Sequence, residues 1–300
     1  MSFHLVHHPD YVAPLPPGHS FPMDKYALVM IALREAGAIW AEHLPEPMPR
    51  DWIAAVHDPD YVDAVLAATV DPVLERRIGF PVTARVARRS QLAVGGTWLA
   101  VKLALQHGYA ANSAGGSHHA HAASGAGYCV FNDLAVAAHR LLTEGDARRV
   151  MVVDLDVHQG DGTASLLAGR ADAFTFSVHA ARNFPVRKAR SSQDIELPDG
   201  TTDANYLAIL TRELADSLDN FAPDLVLFQA GVDPHVDDRL GRLAMSDAGL
   251  VARDQLVAAA CRSRGIALAS TLGGGYGTDR MAVARRHAAG ILSQAAAMQT

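Results

Sequence analysis

Six short apolar runs, at residues 3–7, 109–113, 150–157, 173–178, 225–230 and 266–272, alternate with longer stretches of helical period. Several of these runs are continuously apolar rather than alternating. A strand of that kind is buried on both faces, which is the habit of parallel sheets. The intervening stretches, 23–38, 84–105, 132–142, 205–221, 246–264 and 279–298, read as amphipathic helices. Asp133 and Ser246 sit near helix starts, and Asp203 is placed to cap the helix that follows it. Strand–helix alternation along the whole chain predicts an α/β fold, a parallel sheet with helices on both faces. No internal repeat, low-complexity tract or linker interrupts it, so residues 1–300 read as one domain. The Pro-rich segments 9–22 and 44–49 read as ordered surface loops.

Length and composition narrow the function classes. A 300-residue chain that is 49% hydrophobic can bury a large core. Its formal charge is −6 and no Lys/Arg-rich stripe is present, which argues against nucleic acid as a partner. The same charge is compatible with cationic substrates without showing a preference for them. Two cysteines, Cys129 and Cys261, cannot build a disulfide framework and point to a reducing compartment. The opening MSFHLVHHPDYVAP has no apolar run of signal length, and no segment approaches the ~20 apolar residues of a membrane span. The expectation is a cytoplasmic protein with no membrane partner.

The segment MVVDLDVHQGD carries the chemistry. Asp154, Asp156 and His158 are spaced two apart behind an apolar run, which on a strand puts all three on one face. Carboxylates and an imidazole at that range suit a divalent ion. Ligands in open parallel sheets bind beyond the carboxyl ends of the strands. The loops predicted there are GGSHHAHAASGAGYC, QGDGTA, HAARNFP, GVDPHVDD and GGGYGTD. Asp156, His158 and Asp233 make a three-ligand site with room for water and substrate. A divalent ion in such a site lowers the pKa of bound water toward about 7 and polarises a carbonyl. His118 and His119 can act as base and proton shuttle, with Asp154 and Asp161 available to fix their tautomers. Three glycines at 273–275 let the backbone approach closely, and Tyr276 can donate to a developing oxyanion. The reaction class is metal-assisted hydrolysis of an amide or ester. Cys129 reads as a small buried residue rather than a nucleophile. His43, His107 and His287 have no acidic partner at useful spacing. Asp237 and Asp238 read either as a solvated loop or as entrance groups.

These residues resemble the zinc-dependent histone deacetylase superfamily. The matching pieces are GGSHHA, GYCVFND, VVDLDVHQGDGTA, FSVHAARNFP, LVLFQAGVDPHVDDRLG and LGGGYG, in the family's order. GHSFPMDKY, VHDPDYV and RRIGFP are most similar to the bacterial proteins near class IV. The resemblance implies the arginase/deacetylase fold, a three-layer α/β/α domain with a central parallel sheet of about eight strands. It implies Asp156, His158 and Asp233 as zinc ligands, with Fe2+ or Mn2+ as alternatives suited to the same donors. It implies His118 paired with Asp154, His119 paired with Asp161 as general base, and Tyr276 beside the scissile carbonyl. Gly127, Tyr128, Phe184 and Gly274 match substrate-binding positions, with Tyr128 standing where Phe is usual. A structural K+ lies near Asp154 and Ser177 in relatives.

The implied function is hydrolysis of an N-acyl-lysine-like amide by metal-activated water. The alternative substrate is an acetylpolyamine or another small acylated amine. An arginase-like ureohydrolase would need a second set of metal ligands, which the sequence does not show. A non-catalytic acyl-ligand sensor would be favoured by a missing ligand or tyrosine, and none is missing. Oligomeric state is not legible.

Overall fold

The computed structural model describes residues 2–299. Its strands are β1 (Ser2–Val6), β2 (Ile39–His43), β3 (Tyr109–Asn112), β4 (Val150–Asp154), β5 (Ala173–Ala180), β6 (Gln193–Leu197), β7 (Leu225–Gln229) and β8 (Ala267–Thr271). They form an eight-stranded sheet in the order β2-β1-β3-β8-β7-β4-β5-β6. Every pairing in it is parallel. The longer helices are α1 (Lys25–Glu35), α5 (Ala84–His107), α6 (Asp133–Glu144), α8 (Asp203–Phe221), α9 (Asp247–Arg262) and α10 (Arg280–Gln299). Shorter ones are α2 (Arg50–Ala54), α3 (Pro59–Leu66), α4 (Pro72–Ile78) and α7 (Asp161–Leu166).

The two-residue period of the strands sorts the core into two layers. Val150 and Val152 of β4 and Leu225 and Leu227 of β7 cluster with Ala104 of α5 and Leu134 and Leu141 of α6. Their neighbours Met151, Val153, Val226 and Phe228 cluster with Leu214 of α8 and Leu250 and Val257 of α9. Alternate residues thus serve opposite faces, which is why the runs read as continuously apolar. Among the described residues no helix is long and apolar enough to cross a membrane.

The expected six strands and six helices are present, with three local differences. The strand expected over 150–157 leaves the ladder after Asp154. The Asp154 carboxylate takes the Asp156 N–H at 3.2 Å, and the Asp156 carboxylate takes the His158 N–H at 3.1 Å. Each side chain replaces a ladder partner, as short acidic side chains do in turns. Second, Asp203 is the first residue of α8 and caps nothing there. Its carboxylate accepts from Ser246 instead, and Ser246 in turn caps α9 through the Gly249 N–H. Third, the Pro-rich loops are not confined to the surface, since Tyr11, Phe21 and Met48 are buried.

One buried cation ties α9 to the sheet's carboxyl edge. Arg253 is fully buried and donates through Nη1 to Leu155 O at 3.1 Å and Gly231 O at 2.7 Å. Its Nε donates to the buried Asp254 at 2.8 Å. Both carbonyls lie in loops that carry candidate metal ligands. Arg253→Met should destabilise the fold by about 3–5 kcal/mol, because Asp254 is left charged and unpaired in the core. Adding Asp254→Asn should recover part of that loss. Urea unfolding of the two variants checks this, and a single-variant loss under ~1 kcal/mol contradicts it.

Candidate active site

Five strands that are consecutive in the sheet, β3-β8-β7-β4-β5, each end in a loop at the same edge. The loop after β3 holds His118 and His119, and it is set by the residues that open α6. Asp133, buried, accepts the Gly116 N–H at 3.0 Å, the Ser117 N–H at 2.7 Å and the Thr97 hydroxyl at 2.5 Å. Asn132 caps α6 through the Ala135 N–H while its Nδ2 donates to Ala120 O at 3.2 Å and Thr163 Oγ1 at 3.0 Å. The helix start and the histidine loop are therefore fixed together.

Asp156, His158 and Asp233 converge from the β4 and β7 loops. One ligand atom from each lies within 4.8 Å of the others. His158 Nδ1 stands 2.9 Å from Asp156 Oδ1 and 3.2 Å from Asp233 Oδ2. Asp156 Oδ2 accepts from Gln229 Nε2 at 2.9 Å and the Gly274 N–H at 2.8 Å. Asp233 Oδ1 accepts the Val157 N–H at 2.9 Å, whereas its buried Oδ2 accepts no hydrogen bond. An orphaned carboxylate oxygen in the core is costly, and a cation would satisfy it. A Cβ at Gly274 would overlap Asp233 Oδ2 and crowd Asp156 Oδ2, so that position must lack a side chain. The donor set fits a divalent ion such as Zn2+, Fe2+ or Mn2+. The sequence grouped Asp154 with Asp156 and His158; the structure places Asp154 apart from them, on His118.

The two histidines each hold a carboxylate. His118 Nδ1 is 2.7 Å from Asp154 Oδ2, and His119 Nδ1 is 2.7 Å from Asp161 Oδ1. The rings lie 4.0 Å apart, centroid to centroid. Burial disfavours charge on both, yet they separate. Asp154 and Asp156 outweigh burial at His118 and raise it to about 9. Burial and the neighbouring His118 charge push His119 down to about 3. Burial also works against the Asp161 carboxylate. Hydrogen bonds from His119 and from His121, whose Nε2 is 3.0 Å from Asp161 Oδ2, still hold it well below the usual range. An ionised carboxylate only accepts, so His119 Nδ1 carries the proton and the neutral ring offers Nε2 as acceptor.

Above this floor lies a cavity of about 300 Å³ lined by His119, Gly127, Tyr128, His158, Phe184 and Tyr276, with Arg182, Asn183, Leu240 and Arg242. Phe184 is 43% exposed and meets His119 edge-on at 4.8 Å. Tyr128 packs on Phe21 at 4.9 Å and Tyr276 at 5.8 Å, and adopts a left-handed φ of 67°. Its N–H, and that of Gly127, donate to Ile78 O and Arg77 O. Gly127 also leaves no room for a Cβ beside His119. Burial and the nearby Asp156 and Asp233 raise the Tyr276 hydroxyl well above its ordinary range, and Asp238 Oδ2 holds the Tyr276 N–H at 2.6 Å. Burial likewise raises the Cys129 thiol, which keeps it protonated. Asp154 and Ser177 are partners across β4 and β5. Asp154 Oδ2 faces His118 Nδ1 at 2.7 Å and Oδ1 accepts the Asp156 N–H at 3.2 Å.

A family model for the histone deacetylase domain matches residues 19–292. The chain belongs to the histone deacetylase family. It is similar to Histone deacetylase 2 of Arabidopsis thaliana, 33% identical over 86% of this chain and 70% of that protein. An uncharacterised protein of Picosynechococcus sp. is 47% identical over 96% of each chain. The crystal structure of the HDA15 HD domain matches with a TM-score of 0.79, covering 98% of this chain and 88% of that one. At 20% identity that likeness speaks for the fold, and the eight-stranded parallel sheet with its helices is the arginase/deacetylase fold.

In this histone deacetylase family member, several supporting residues escaped the sequence reading. Gln229 reaches Asp156, and Asn183 stands 3.3 Å from His158 Nε2 while donating to Leu240 O. His57 accepts the Asn132 N–H and bonds His121 O, bracing the histidine loop. The available signal was a polar residue at the end of an apolar run, which Gln229 gives.

Divalent binding should expel protons from this cluster. Burial opposes charge on His158, but Asp156 and Asp233 outweigh it and raise the ring to about 10. A ligand ring must be neutral, so its proton leaves on binding at any pH below that value. Burial and Asp156 also raise Asp233, so release should grow as pH falls from 8 toward 6, and affinity should climb with pH. Titration calorimetry of Zn2+ in two buffers of different ionisation enthalpy should report about one proton at pH 8. Buffer-independent heats contradict the assignment of His158 as ligand.

Proposed function

We propose that this chain is a metal-dependent deacylase that hydrolyses an N-acyl-lysine-like amide to a carboxylate and a free amine, with residues 1–300 as one catalytic domain. The observation that carries the reading is the histidine pair. Two adjacent imidazoles, each on its own buried carboxylate, sit beside an Asp-His-Asp cluster at the foot of an aromatic-walled cavity. Membership of a family that generally depends on a metal supports it.

Asp156, His158 and Asp233 would hold the ion, which when bound supplies Lewis acidity toward the acyl carbonyl and toward water. His119 enters the reaction neutral, its Nδ1 proton committed to Asp161, so Nε2 takes the proton of the attacking water. His118, held cationic by Asp154, keeps positive charge beside the growing negative charge and helps protonate the departing amine. Tyr276 stays protonated at working pH and donates its hydroxyl to the carbonyl oxygen as charge develops there. Tyr128 and Phe184 offer aromatic faces to the aliphatic stem, while Gly127 and Gly274 keep the backbone close.

Amine release from acyl-lysine peptides, acetylspermidine and acetylputrescine, read by mass spectrometry on Zn2+-loaded protein, tests the reading. Chelator-sensitive release from an acyl-lysine peptide is expected, and silence across the panel with metal bound overturns it. Tyr276→Phe should lower turnover about 10²–10³-fold while metal content is unchanged. Unaltered turnover removes Tyr276 from its role.

A further inference from the structure

The mouth of the cavity is basic in a chain of net charge −6. Two loops frame it, residues 181–192 after β5 and 236–242 after β7. The first carries Arg182, Arg187, Lys188 and Arg190 with no acid, and the second carries Arg239 and Arg242 with Asp237 and Asp238. Both acids are engaged. Asp237 pairs with Arg286 at 3.0 Å, and Asp238 accepts the N–H groups of Leu240, Gly241 and Tyr276. Arg242 shares one guanidinium nitrogen with Asp199 at 3.1 Å. Among the described residues Arg182 and Arg239 have no ion pair. Arg182 and Arg242 line the same cavity as His119, His158 and Tyr276, and no carboxylate lines it at that level.

We propose that this arginine rim selects anionic carriers: acylated amines that bring a carboxylate or phosphate to the mouth, such as an acyl-lysine flanked by acidic residues. The inference rests on the deacylase reading and adds the substrate class. The physical reason is direct. An exposed guanidinium keeps its fork of donors for carboxylate or phosphate, to which it binds bidentately. Like charges concentrated at a cleft steer counter-charged ligands in and repel others. A polyamine carries positive charge into that field with no acid to receive it, so acetylpolyamines fit the rim poorly. Phe184 and Leu240, both exposed at the mouth, accept the apolar part of the carrier between the arginines.

The test is a peptide series with one acetyl-lysine core flanked by Glu, Gln or Lys, run on the Zn2+-loaded full chain. Nε-acetyl-lysine with a free α-carboxylate and acetylspermidine complete the set. Glu flanks should raise kcat/KM about tenfold or more over Lys flanks at low salt, through KM, and the gap should narrow at high salt. The double variant Arg182→Glu/Arg242→Glu should reverse the order. Equal rates on Glu and Lys flanks, or a preference untouched by salt and by the variant, overturn the inference and leave the deacylase reading standing. If no compound is cleaved, the deacylase reading falls and the rim is judged by anisotropy of the labelled peptides. Tighter binding of the Glu peptide upholds it, and equal binding ends it. Efficient cleavage of free acetyl-lysine assigns the anion to a small carboxylate, and cleavage of the Glu peptide alone assigns it to a polypeptide.

Discussion

The site is built on buried charge that cannot stand alone. Asp154, Asp156, Asp161 and Asp233 are all withdrawn from water at one edge of the sheet. Desolvating a carboxylate costs several kcal/mol unless an opposite charge or a set of donors replaces water. Three of the four find imidazoles or amide donors for both oxygens. Asp233 has only one oxygen satisfied by a donor, and burial and the Asp156 charge raise it. That imbalance sets the character of the centre, since one buried carboxylate oxygen is left without a donor. A divalent ion would complete the set, and its affinity would then be coupled to the protons it displaces.

Such a network holds only if the loops carrying it cannot drift. A parallel sheet helps, because each strand arrives with the same polarity and every loop leaves from the same edge. Beyond that, single side chains bind one loop to another. Arg253 joins the β4 and β7 loops, Gln229 joins β7 to Asp156, and Asn183 joins the β5 loop to Leu240 and Arg242. Asp133 and Asn132 do the same for the histidine loop from the start of α6. These contacts spread the cost of the buried acids over elements far apart in sequence.

That distribution explains what could be read beforehand. β1, β3, β4, β5, β7 and β8 were legible because they are mostly buried and their runs are largely apolar. The edge strands β2 and β6, IWAEH and QDIEL, were not, since each has one paired side and half-exposed polar residues. The short helices α2, α3, α4 and α7 lack the turns needed for a periodic signal. The clustering of Asp156, His158 and Asp233 and the histidine pair beside it were legible because ionisable residues beside glycines at strand ends have few other uses. Period two alone put Asp154 on one face with Asp156 and His158, whereas the resemblance put it on His118, 2.7 Å away in the structure; period-two reasoning ignores the turn that its own carboxylate creates. Arg253 sits in α9 with Leu250 and Val257 at helical spacing, so its position on the buried face was visible while its partners were not.

Net charge says little about what enters the cavity. A total of −6 permits cationic substrates, yet the groups that decide what enters are those within a Debye length of the mouth, roughly 8 Å at physiological ionic strength. There Arg182 and Arg242 line the cavity with no carboxylate beside them in its wall. The floor and the rim therefore obey different rules. At the floor, burial forces charges into fixed pairs, so few residue choices work and motifs survive in the sequence. At the rim, side chains stay solvated, almost any residue is tolerated by the fold, and selection of a carrier is the constraint left to act. An unpaired arginine at such a position contributes little to stability, so its guanidinium stays free for a ligand from outside.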